Sequence, residues 1–144
     1  MPRITIRCNA KFTETKPNSN AYNLAGNSFE SNQASIESLE GHCVYDSEDR
    51  KYTFQFTIKT SEGEFCIHHS KGAEPFQSGY EATFYCPQPS DTWHKVEMIT
   101  LLGERDAGTG HGTPDVYSAI LDFNIKEDPY FDPDDPKNQS FLIR

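Results

Sequence analysis

The stretch KYTFQFTIKTSEGEFCIHHS, residues 51–70, decides how the chain is read. Tyr52, Phe54, Phe56 and Ile58 alternate with Thr53, Gln55, Thr57 and Lys59. A period of two gives a strand one apolar and one polar face. SEGE at 61–64 supplies a turn and FCIHH returns after it, so the segment reads as an antiparallel hairpin.

Working outward, five other segments have the same character. ITIRCNAKF (4–12) puts Ile4, Ile6 and Cys8 on one face. ASIESLEGHCVY (34–45) carries Ile36 and Leu39 and then Cys43 and Tyr45, a change of phase that points to a bulge at Glu40–Gly41. YEATFYC (80–86) and KVEMITLL (95–102) read as two more strands. DVYSAILDFNI (115–125) is a seventh, because its β-branched and aromatic content favours a strand over a helix. Seven short strands separated by turn residues imply an all-β domain over residues 1–126, an antiparallel β-sandwich or small barrel. SFESNQASIESLE (28–40) is the best helical candidate, but its apolar face is thin, so at most one short helix is expected. TETKPNSNAYNLAGNSFESN (13–32) reads as a long polar loop.

The totals agree with this class. At 144 residues the chain suits one domain with a core. Ten Phe and seven Tyr must supply much of that core. The net charge of −9 disfavours nucleic acid and anionic membrane surfaces as partners. No apolar run approaches the ~20 residues that span a bilayer. The opening MPRITIRCNAKF has no apolar leader segment, which leaves a cytoplasmic chain or one whose leader has been removed.

The cysteines bear on that choice. Cys8, Cys43, Cys66 and Cys86 form no C-x-x-C pair, which excludes zinc-finger and thioredoxin spacing. Four separated cysteines in a small polar chain fit two disulfides of undetermined pairing, and hence export. The NQS sequon at Asn138 offers one glycosylation position.

Residues 127–144, EDPYFDPDDPKNQSFLIR, stand apart as a C-terminal extension. Pro129, Pro133 and Pro136 forbid a regular helix or a central strand there. The extension is expected to lie over the barrel, anchored by Tyr130, Phe131, Phe141 and Leu142. Asp132, Asp134 and Asp135 could offer oxygens to calcium, but the glycine that turns such a loop is missing, so no metal is expected. No other cofactor is expected either.

RDAGTGHGTPD (105–115) invites a phosphate-loop reading and fails it. No Lys-Ser or Lys-Thr follows the last glycine, and no helix follows the loop. The loop is read as an irregular connection between strands whose glycines permit positive φ. The chemical alternative is RNA cleavage by Glu97 or Glu104 as base, His111 as acid and Arg105 on the phosphate. His68 and His69 are adjacent on a strand and so point to opposite faces, with His68 beside Cys66. No spacing joins them to His42 or His94 in a metal site. A nucleophile elbow, G-x-S-x-G, is absent. Trp93, in a polar loop, together with Tyr80 and Tyr85 could stack on a sugar.

The reading is therefore a small, secreted, disulfide-stabilised interaction protein of effector or defence type. It would engage a partner protein or a glycan through long loops. The alternatives are a secreted ribonuclease and an intracellular adaptor that keeps its thiols reduced.

Overall fold

The computed structural model describes residues 3–108 and 112–142. Eight antiparallel strands run in chain order: β1 (Ile4–Glu14), β2 (Ala21–Ser31), β3 (Ile36–Asp46), β4 (Lys51–Thr60), β5 (Gly63–Gly72), β6 (Glu81–Cys86), β7 (His94–Asp106) and β8 (Val116–Glu127). They form one sheet in the order β5-β4-β3-β2-β1-β8-β7-β6. Chain neighbours pair throughout except across one step, and β1 pairs with β8 to join the two ends of the chain. The sheet curls into a nearly closed barrel. Its open seam lies between β5 and β6, which pack against each other without a hydrogen-bonded ladder.

The barrel is filled. On β1 the inward set is Ile4, Ile6, Cys8, Ala10 and Phe12, and on β8 it is Tyr117, Ala119, Leu121, Phe123 and Ile125. Phe54, Phe56 and Phe84 meet at centroid distances of 5.1–6.2 Å in edge-to-face contacts at the middle. Such pairs add ~0.5–1.5 kcal/mol each beyond the area they bury. One end is sealed by Phe76, from the β5–β6 connection. Its ring stacks on Tyr117 at 3.7 Å and meets Phe12, Tyr22 and Tyr52 edge-on.

The quoted hairpin is present as β4 and β5, with Ile58 opposite Phe65 and Phe56 opposite Ile67. Four expectations need correction. The strands number eight, because part of the expected polar loop is β2, whose inward face carries only Tyr22, Leu24 and the half-buried Phe29. Ser28, at φ 56°, starts a bulge that breaks its alternation, which is why a period of two does not show in its sequence. The helical candidate is strand and loop. The irregularity in β3 falls between Ile36 and Ser38 rather than at Glu40–Gly41; Gly41 stays in register opposite Phe56, so close that a Cβ there would lie 2.2 Å from the Gln55 carbonyl oxygen.

The fourth correction concerns the cysteines. They lie on four different strands, and none is within bonding distance of another. Cys8, Cys43 and Cys86 are packed into the barrel, and burial pushes the Cys8 and Cys86 thiols up to about 12 and the Cys43 thiol well above its usual value. They act as small apolar core residues. The disulfide-stabilised reading falls, and with it the argument for an exported effector- or defence-type protein.

Candidate functional site

The seam is where the fold leaves unfinished business. Two edge strands face each other there, and edges that no strand pairs are commonly covered by other chain. The C-terminal extension does this. Asp128 N–H donates to the Trp93 carbonyl at 2.8 Å, turning the chain back toward the seam. Phe131 then stacks on Tyr85 at 3.9 Å with an interplanar angle of 14° and lies 4.9 Å from Trp93. A short 3-10 helix, Pro136–Phe141, begins at Asp135, whose side chain accepts from Lys137 N–H, and brings Phe141 edge-on to Tyr85 at 5.1 Å.

Beside these rings a hollow of about 260 Å³ remains, walled by Tyr85, Pro87, Trp93, Pro133 and Leu142 and floored on β5 by Cys66 and His68. Cys66 is the only one of the four cysteines that is not fully buried, and its sulfur accepts a hydrogen bond from the Thr57 hydroxyl at 3.8 Å. Cys66 and His68 share the outward face of β5, as their spacing of two requires. His69 does not take the opposite face. It sits at φ 52° in a bulge where His68 and His69 together oppose Gln55, so both imidazoles are exposed. Burial raises the Tyr85 phenol above its usual value, with Asp128 and Glu97 adding to it.

Of the three aromatic residues singled out for sugar stacking, the fold brings two together. Trp93 and Tyr85 meet through Phe131, but Tyr80 does not join them. It lies before β6, hydrogen-bonded to Thr100 and 46 % exposed, at the opposite end of the strand from Tyr85. The Tyr85 face that a sugar would use is covered by the chain's own phenylalanine.

The set considered for RNA cleavage is not assembled among the described residues. Glu97 stands mid-strand opposite Thr83 and Asn124. It lies about 25 Å along β7 from Arg105, at ~3.3 Å per residue. Arg105 is already committed: it pairs with Asp115 at 2.6 Å and lies over the Tyr117 ring at 5.5 Å. Glu104, its exposed neighbour, pairs with Ser118. His111 lies outside the described residues.

The glycine-rich connection has a structural organiser. Asp115 accepts from Gly108 N–H and from Arg105, both at 2.6 Å, while its own N–H donates to Glu14 at 3.2 Å. The Gly108 N–H first, and Arg105 after it, hold the Asp115 carboxyl below the usual carboxylate range.

Two acids of the extension serve turns. Asp132 accepts from Asp134 N–H at 2.9 Å and Asp135 caps the 3-10 helix. Among the described residues no three His, Cys, Asp or Glu side chains are arranged to hold a metal. Asn138 spends its amide N–H on the Asp132 carbonyl at 2.8 Å.

What the sequence reading missed is the seam itself. The composition of β5 and β6 contains no mark that they are edges, and only Phe131 and Phe141, spaced across prolines, hinted at a cover. Comparison with family models, with curated proteins and with solved structures finds no match to the chain.

Proposed function

We propose that the protein is a binding module whose recognition site is the seam hollow, and that its occupant is one aromatic or proline side chain of a partner polypeptide with basic flanks. The size of the hollow carries this reading. About 260 Å³ lies below the ~300–1,000 Å³ of small-molecule sites. It suits a single anchoring side chain of the kind that dominates protein interfaces. The walls supply Trp93, Tyr85 and two prolines but few hydrogen-bonding groups, whereas a sugar needs several such groups and an open ring face. The extension that forms one side of the hollow carries Asp132, Asp134 and Asp135 next to the lining Pro133, which favours basic residues beside the anchor.

A displayed library of random peptides tests this, with Trp93 fluorescence as the readout, since it is the only tryptophan. Selected peptides should share an aromatic or proline anchor with neighbouring Lys or Arg. They should quench or shift the Trp93 emission, and lose at least tenfold in affinity for His68→Ala or Trp93→Ala. Peptides that bind both variants as well as the parent would overturn the site. Saturable binding of neutral glycans that depends on Trp93 would replace the partner class.

A further inference from the structure

The outer face of β1, β8 and β7 carries a charge pattern that shares no residue with the seam hollow. Ser118 pairs with Lys11 on one side and Glu104 on the other, Ile120 with Asn9 and Leu102, and Asp122 with Arg7 and Ile99. Residues paired across strands share a face, and these rows lie on the outside of the barrel. Arg7 and Lys11 put bases on β1, while Glu97 and Glu104 put acids on β7. Leu102, 59 % exposed, forms an apolar strip with Ile120 and Ile99. We propose that this face is the interface of a twofold dimer of the chain, in which Lys11 of each copy pairs with Glu104 of the other.

The register is the reason. Lys11 and Glu104 stand one strand to either side of Ser118, each about 5 Å away in a single row. A twofold axis along β8 exchanges β1 with β7 and leaves position along the strands unchanged. It therefore sets Lys11 of one copy on Glu104 of the second copy, and does so twice. Both side chains are exposed, and neither makes an ion pair among the described residues. The same rotation lays Leu102 of the second copy over Asn9, at a hollow of about 320 Å³ walled by Asn9, Lys11, Asn27 and Ser118. Ile120 then meets its own counterpart at the axis. Asp122 meets its counterpart too, but its charge is matched within each copy by Arg7, which donates to both carboxylate oxygens at 2.8 and 3.0 Å. An isologous contact requires a face that is its own complement, and here one rotation exchanges bases with acids. A partner of another kind would have no need of that symmetry.

The contact is small. Three strands over the stretch from Thr5 to Lys11 span about 14 by 20 Å, below the ~800 Å² that each partner gives to a standard interface, so the dimer is a reversible one. The net charge of −9 on each copy opposes approach. At ~0.15 M salt, exposed charges more than about 8 Å apart are largely screened, whereas Lys11 and Glu104 in contact are not. Affinity then rests on the apolar strip, and the choice of partner and register on the two ion pairs.

Sedimentation equilibrium at about 0.15 M salt, with protein raised to about 0.5 mM, reads the association. The mass of the parent should climb toward that of two chains. Lys11→Glu and Glu104→Lys each place like charges at both contacts, and each should weaken self-association by about tenfold or more. Both positions are exposed, so the far-ultraviolet circular dichroism of the variants should match the parent. Mixed one to one, the two variants should recover the dimer, because each then meets its complement at both contacts. A parent that stays monomeric throughout, a dimer indifferent to both charge reversals, or a mixture that stays monomeric would each overturn the proposal.

Discussion

Replacing Phe131 by alanine tests whether the C-terminal extension holds the seam. The ring is 9 % exposed, stacked on Tyr85 at 3.9 Å and 4.9 Å from Trp93. Truncating a buried phenylalanine costs ~3–5 kcal/mol. Phe131 lies over the outside of the barrel, where the emptied space opens to water, so the lower value applies, about 3 kcal/mol. Unfolding entropy near ~2.1 cal/mol/K per residue gives about 0.3 kcal/mol/K for a chain of this length, so Tm should fall by about 10 °C. Urea melts followed in parallel by far-ultraviolet circular dichroism and by Trp93 emission measure both parts of the effect. The emission of the folded variant should shift to the red, because the ring that shields the indole is gone. A loss under about 1 kcal/mol together with unchanged emission would refute the reasoning. The extension would then be held by something other than its aromatic contacts.

Three further outcomes follow from the same geometry. Asp115→Ala should cost about 1–2 kcal/mol by removing the charge-assisted bond to Gly108 N–H, screened in part because Arg105 is exposed. Because the folded carboxyl titrates below its unfolded value near ~3.9, its stabilisation is present above about pH 4 and is lost as pH falls through the folded value; urea melts at pH 7 and pH 3 should show parent and variant converging in acid. Gly103→Ala should cost about 1–3 kcal/mol, since its Cβ would lie 1.9 Å from the Phe76 carbonyl oxygen, whereas Gly26→Ala, 3.1 Å from the Leu39 Cβ, should cost less in the same thermal melts. Alkylation without reductant should add four groups to the denatured protein by intact mass and, in the native protein, one group rapidly at Cys66, with Cys8, Cys43 and Cys86 reacting only on unfolding.

The class of fold was legible from the residues alone. The alternation of Tyr52, Phe54, Phe56 and Ile58, and of Ile4, Ile6 and Cys8, is a local property of each strand, and local periodicity survives into the folded state because one face must be buried. In the extension the prolines act on their own residues and neighbours, but which aromatic residue anchors it was not legible: Phe131 packs on Tyr85, whereas Tyr130 is 93 % exposed. β2 escaped because its polar outward residues and the bulge at Ser28 mask the pattern; its neighbours β1 and β3 hold it in place. Cysteine count pointed to disulfides, yet pairing is a matter of distance between strands remote in sequence, and the barrel keeps these four apart. Folding alone makes β5 and β6 edges, lays Phe131 over Tyr85, pairs Arg105 with Asp115 and not with Glu97, and sets His94 against a cavity. Each of these depends on which strand closes against which, a non-local choice that no single stretch of sequence contains.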